Sequence, residues 1–148
     1  STAAAADIVT PNRFELAFLA GIDPRDLVDN AGLVAAARAL GRPEVVVTSA
    51  FAGPGEMANL IVTAEGAACA AHPAVPHAPH GTGDLLAALY IGHRLRGAAQ
   101  KTALAAAAGA TLRLVERAAG RDELPLAEAQ DSLLAPPDNV RIVDLPGG

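Results

Sequence analysis

Glu44-Val45-Val46-Val47-Thr48 is the stretch on which the fold class turns. Three consecutive β-branched valines favour a strand, and an apolar run without polar alternation suits a strand covered on both faces. Such a strand needs helices above and below it, so the run predicts an α/β architecture with a mostly parallel sheet. The segments on either side supply those helices. Upstream, Asp23-Pro24 reads as an N-cap followed by proline at the first helical position. Leu27, Val28, Ala31, Val34, Ala35 and Ala39 then recur at helical spacing until Gly41. Further upstream, Asp7-Ile8-Val9-Thr10 reads as a short buried strand halted by Pro11. Asn12 and Glu15 follow with the spacing of a capping box, opening a helix through Phe14, Leu16, Phe18 and Leu19 that ends at Gly21.

Downstream, Phe51 to Met57 carries Gly53-Pro54-Gly55 and reads as a loop. Leu60 to Thr63 and Ala67 to Ala71 flank Glu65-Gly66 as a hairpin, which gives the sheet an antiparallel edge. His72 to His80 contains three prolines and no periodicity, so it reads as a surface loop. Gly81-Thr82-Gly83-Asp84 then opens into Leu85, Leu86, Leu89, Tyr90 and His93, a glycine-rich turn feeding a helix. Helices are predicted at about Ala98 to Ala119, closed by Gly120, and at about Leu126 to Leu134, closed by Pro136-Pro137, with a short strand over Val140 to Val143. No repeat or linker divides residues 1–148, which read as a single domain or part of one.

The 148 residues are 51% hydrophobic and 18% charged, enough apolar material for a real core. A net charge of −5 without a basic run argues against nucleic acid or an anionic membrane as partner and leaves a small molecule or a protein. Cys69 is the single cysteine and reads as a small buried hydrophobe in a reducing, cytoplasmic setting. Ser1 to Ala6 lacks the basic flank of a signal peptide, and the Ala-rich Thr102 to Ala110 runs into Arg113, Glu116 and Arg117 as a soluble helix does.

The chemistry concentrates at Gly81-Thr82-Gly83. A turn without large side chains at a helix N-terminus lets unpaired N–H groups and the helix dipole face an anion, phosphate above all. Asp84 would repel that anion, which makes sense if it serves as a base toward a hydroxyl lying between it and a γ-phosphate. From these four residues alone the other reading stays open, with Asp84 as a helix cap and the glycines as a tight turn. His72, His77 and His80 sit without cysteine or acidic partners and read as solvated loop histidines, not zinc ligands. Lys101 and Arg113 read as surface charges on helices.

Three segments, in order, resemble the pyridoxal kinase branch of the ribokinase superfamily. Thr10-Pro11-Asn12-Arg13-Phe14-Glu15-Leu16 resembles its T-P-N-x-F-E-L segment. Val46-Val47-Thr48-Ser49 resembles the strand end that reaches ATP, and Gly81-Thr82-Gly83-Asp84-Leu85-Leu86-Ala87-Ala88 resembles its G-T-G-D-L-F-A-A motif. The likeness runs from about Asp7 to about Leu134, and Thr82 in place of the commoner alanine favours the pyridoxal branch. It implies the C-terminal part of a ribokinase-like three-layer α/β/α fold. It also implies ATP-dependent phosphorylation of the 5′-hydroxymethyl group of pyridoxal or related B6 vitamers, with ATP as co-substrate and Mg²⁺ as cofactor. Asp84 would be the catalytic base, and the amides of Gly81, Thr82 and Gly83 the anion hole. Thr48 and Ser49 would contact the ATP phosphates, and Asn12 and Glu15 the Mg²⁺–phosphate side through water. Val75 in the proline-rich loop would cover the adenine.

The likeness also implies a homodimer of the full-length enzyme, whose N-terminal half has no counterpart among these residues. An isolated half would leave one edge of the parallel sheet uncovered and prone to self-association. A hydroxymethylpyrimidine kinase of the same superfamily, or a non-catalytic nucleotide-binding module, remains as the alternative.

Overall fold

The computed structural model describes residues 7–74, 82–119 and 140–146. Its elements in order are β1 (Ile8–Val9), α1 (Arg13–Ala20), α2 (Asn30–Ala39), β2 (Glu44–Ala50), β3 (Glu56–Val62), β4 (Ala67–Pro73), α3 (Thr82–Leu95), α4 (Gln100–Ala119) and β5 (Arg141–Leu145). The five strands form one sheet in the order β1-β2-β3-β4-β5.

The valine run behaves as its composition requires. Val45 and Val47 pack with Leu16, Leu33 and Val34 of α1 and α2 on one face, while Val46 packs with Leu86, Tyr90 and Leu104 of α3 and α4 on the other. All three valines are at most 1% exposed. Successive side chains alternate faces, and here both faces are roofed by helices, giving the three-layer α/β/α arrangement. β4 repeats the pattern with small residues: Ala67, Cys69 and Ala71 face one layer, and Ala68 and Ala70 the other. Truncating Leu16, which is fully buried, to alanine would cost about 2–5 kcal/mol.

The balance of pairings differs from a mostly parallel sheet. β1–β2 is parallel, whereas β2–β3, β3–β4 and β4–β5 are antiparallel. A run of valines reports that both faces are covered, not which way the neighbour runs. Connection length decides direction: a parallel partner needs a crossover of about a dozen residues or more, and only short links join β2 to β3 and β3 to β4. The predicted hairpin is present, with Leu60 opposite Cys69 and Val62 opposite Ala67.

The second helix begins later than Asp23-Pro24 suggests. Asp23 caps a single 3-10 turn over Pro24–Asp26, and Asp29 is the true N-cap of α2, its Oδ1 accepting from the Gly32 amide at 2.9 Å. Leu27 and Val28 lie between the two, Leu27 buried and Val28 exposed. The capping box of α1 forms as the sequence predicts, and the helix closes at Gly21 in the left-handed conformation. The predicted loop after β2 is shorter than expected, since β3 already begins at Glu56. The predicted helix at 126–134 lies outside the described residues.

At the N-terminal end of β2 a charged network is sealed into the core. Glu44, 4% exposed, accepts from Tyr90 Oη at 2.7 Å and from Arg94 Nε and Nη2 at 2.9 and 2.7 Å. Arg94 also donates to the Ala98 carbonyl, tying the turn between α3 and α4 to the strand. Burial by itself raises the Glu44 pKa, but the hydrogen bonds from Arg94 and Tyr90 outweigh it and hold the carboxyl below its ordinary value. Burial and the neighbouring carboxylate push the Tyr90 hydroxyl well up. Among the described residues no helix is long and apolar enough to cross a membrane.

Candidate active site

β2 ends in a place of backbone tension. Thr48, 5% exposed, donates its amide to the Pro11 carbonyl at 3.0 Å, and Asn12 forms a parallel bridge with it. The strand register shifts between Val47 and Ala50, and within that shift Ser49 takes φ 56°, the one left-handed non-glycine residue described. A side chain in that region costs about 1–3 kcal/mol and persists where the surroundings enforce it. The enforcement is visible: the Ser49 amide is held by Asn59 Oδ1 at 3.3 Å, from the neighbouring strand β3. Ser49 is thereby turned out of the sheet at the strand's C-terminal end, where open α/β sheets bind ligands.

The N-terminus of α3 meets that strand end. A Cβ placed on Gly83 would lie 3.4 Å from Thr48 Oγ1, in van der Waals contact, so the start of the helix packs directly against the end of the strand. Thr82 and Gly83 are half-buried beside Thr48 and Ser49 in a common pocket, and Asp84 stands exposed in the first turn of the helix. The first amides of a helix have no intrahelical acceptor, and together with the dipole they favour an anion at this position. Gly81 and Val75 lie outside the described residues.

Asn12 and Glu15 stand at the start of α1, tied to the same strand end through the Asn12–Thr48 bridge. Their side chains cap the helix reciprocally: Asn12 Oδ1 accepts from the Glu15 amide at 2.8 Å, and Glu15 Oε1 accepts from the Asn12 amide at 2.9 Å. Glu15 is exposed, and among the described residues no group of three or more His, Cys, Asp or Glu gathers to cage a metal. This oxygen-donor set fits Mg²⁺ carried mainly by phosphate and water, and does not fit an all-protein cage.

The sequence profile of the phosphomethylpyrimidine kinase family matches residues 1–125. The chain belongs to that family. It is 42% identical over 142 residues to a pyridoxal kinase, PdxY, of Rubrobacter xylanophilus, an alignment covering 90% of this chain and 48% of the relative. It is 40% identical over 127 residues to a pyridoxine/pyridoxal/pyridoxamine kinase of Bordetella pertussis, covering 80% and 44%. The chain therefore spans about half the length of these relatives. In fold it is similar to the pyridoxal kinase of Leishmania donovani solved in complex with ADP, with TM-score 0.77, 24% identity, and coverage of 96% of this chain and 52% of that one. It is also similar to a phosphomethylpyrimidine kinase homologue of Bacteroides thetaiotaomicron, with TM-score 0.81, 21% identity, and coverage of 94% and 51%. The ribokinase-like α/β class expected from the motifs is thus the class of its structural neighbours.

Several members of the site are invisible to motif reading. The pocket beside Thr48, Ser49, Thr82 and Gly83 is completed by Met57 and Asn59 of β3, His72 of β4, Leu86 of α3, and Thr111, Leu112 and Val115 of α4. His72 is not a solvated loop residue. It belongs to β4, opposite Met57, is 8% exposed, and its Nδ1 lies 2.9 Å from the Pro73 carbonyl oxygen. The prolines after it suggested a loop, but the ladder with β3 continues through Pro73. An asparagine in the apolar stretch Met57 to Val62 was the available signal for Asn59, since a buried amide in a strand needs a partner. His77 and His80 lie outside the described residues. Cys69 is buried as expected, and burial pushes its thiol up, which suits packing and not nucleophilic chemistry. Lys101 is exposed and pairs with Asp144 at the opposite end of the sheet.

Proposed function

We propose that this chain is the nucleotide-binding and catalytic part of an ATP-dependent kinase that phosphorylates the 5′-hydroxymethyl group of pyridoxal and related B6 vitamers. One observation carries the reading: the close approach of Gly83, at the start of α3, to Thr48, at the end of β2, beside a strained Ser49. Relatives 42% and 40% identical are named as kinases of these vitamers, which supports the choice of alcohol.

In this reading the amides of Gly81, Thr82 and Gly83 hold the transferring phosphoryl group, and Thr48 and Ser49 contact the ATP phosphates. Asp84 accepts the proton of the vitamin's hydroxyl as its oxygen bonds to the γ-phosphorus. The bond from that phosphorus to the bridging oxygen breaks in line, ADP leaves, and Asp84 returns its proton to water. Mg²⁺, when bound, neutralises charge on the phosphates. Asn12 and Glu15 orient its water shell, and Val75 lies over the adenine. The same reading makes the full-length protein a cytoplasmic homodimer.

A second alcohol has a specific observation in its favour, since the matching profile is that of phosphomethylpyrimidine kinases. The test is ATP-dependent phosphorylation of pyridoxal and of hydroxymethylpyrimidine by the protein purified at its native length, alongside Asp84→Ala. Formation of pyridoxal 5′-phosphate, lost in Asp84→Ala with ATP affinity retained, supports the proposal. Turnover of the pyrimidine alone redirects it to the sister reaction, and ATP binding without turnover of either alcohol makes the chain a non-catalytic nucleotide-binding module.

A further inference from the structure

The end of β2 carries a β-bulge. Val47 pairs with Leu60 and Ala50 with Ala58, so Thr48 and Ser49 together stand opposite Asn59 alone. A bulge interrupts the ladder and re-aims the side chains it carries, and such irregularities gather beside active sites. Here the re-aimed side chain is that of Ser49, exposed and at φ 56°, in a region ordinarily left to glycine.

Three elements pin the backbone through the bulge. The Thr48 amide donates to the Pro11 carbonyl at 3.0 Å, on the β1 side. The Ser49 amide donates to Asn59 Oδ1 at 3.3 Å, and Asn59 is itself only 7% exposed. Two residues on, Asn30 at the first position of α2 takes both backbone groups of Phe51. Its Nδ2 donates to the Phe51 carbonyl at 2.8 Å, and its Oδ1 accepts from the Phe51 amide at 2.9 Å. Just past the end of β2, that one side-chain amide does for Phe51 what a neighbouring strand does for a residue in the ladder. The Arg13 guanidinium lies over the Phe51 ring, 4.9 Å from its centroid.

We infer that Asn59 and Asn30 are positioning residues for the anion site, holding the bulge so that Ser49 stays turned out toward the phosphates. Asn59 grips the strained residue itself, and Asn30 fixes the chain where it leaves the bulge. Freed of either hold, Ser49 relaxes to an ordinary negative φ, and apparent affinity falls with the fraction of molecules that keep the competent shape. Hydrogen bonds that maintain a costly conformation serve something other than stability, and here that is the presentation of Ser49. The inference deepens the nucleotide reading above and rests on it.

The test is calorimetric titration with Mg²⁺–ATP and with inorganic tripolyphosphate of the protein at its native length. Wild type, Asn59→Ala and Asn30→Ala are compared, each also in a Ser49→Gly background, at a temperature where thermal melts show every variant folded. Each asparagine variant should weaken ATP and tripolyphosphate by the same factor, about three- to tenfold, the worth of one hydrogen bond. In the Ser49→Gly background, where the left-handed conformation carries no side-chain cost, the same changes should weaken binding less than about twofold. A purely structural asparagine would lower the melting temperature and leave both affinities as they were. Unaltered affinity in either single variant overturns the role of that asparagine. A loss as large in the Ser49→Gly background as in the wild type, or one confined to ATP, overturns positioning through Ser49 and leaves the phosphate site standing. A wild type that binds neither ligand overturns the nucleotide reading itself and this inference with it.

Discussion

β2 and α3 meet twice, and the two meetings are built on opposite principles. At the N-terminal end of the strand, Glu44 is enclosed by Tyr90 and Arg94 from the end of the helix, with both carboxylate oxygens bonded. At the C-terminal end, Thr48 and Ser49 face the start of the helix, where Gly83 supplies contact without a side chain and Asp84 stays exposed. One end spends its polar groups on each other. The other leaves a left-handed serine, a helix N-terminus and a buried unpaired threonine beside one pocket. Satisfied charge fixes the position of the helix, and the unsatisfied groups it presents at the far end are left for a ligand.

The sharpest way to separate the two ends is to disable each in turn. Asp84→Asn should lower turnover about 10²- to 10⁴-fold, the usual contribution of a positioned general base, with little change in melting temperature because the residue is exposed. Steady-state kinetics beside a thermal melt checks both halves of that statement. Glu44→Ala should act the other way round, destabilising the fold by about 3–5 kcal/mol by stranding the Arg94 charge in the core, as read by denaturant unfolding.

The pH dependence of stability should follow the sealed end. The pKa of Glu44 in the folded chain is held below its ordinary 4.5, so its contribution is present above that value and is lost as pH falls further toward the folded pKa. That of Tyr90 is raised above 10, so its contribution is complete below pH 10 and declines at higher pH. A stability profile of Glu44→Gln should show a flatter acid limb than the wild type. The smallest effect is expected at Asn12→Ala, which removes one half of the capping box and should cost about 1 kcal/mol in denaturant unfolding.

The open end was far more legible in the sequence than the sealed one. Its parts are contiguous and chemically plain: a capping box three residues apart, a valine run ending in Thr48-Ser49, and a Gly-Thr-Gly-Asp turn opening a helix. Each announces itself through local spacing or composition. The sealed end joins Glu44 to residues 46 and 50 positions away, and neither a glutamate at a strand start nor an arginine late in a helix signals burial by itself. Thr111 and His72 were hidden for the same reason, being brought to the pocket only by the packing of α4 and β4. Strand direction escaped because hydrophobicity reports coverage and not polarity, and the start of α2 escaped because Asp23 and Asp29 are both competent caps.

The most direct test of the open end is amide chemical-shift mapping of the 148-residue chain during titration with Mg²⁺–ATP. The account predicts the largest shifts at Thr48, Ser49, Thr82 and Gly83, with Glu44 and Arg94 unmoved. Shifts concentrated instead around Glu65, Gln100 and Lys101, which line a cleft of about 360 Å³ at the far end of the sheet, would contradict it.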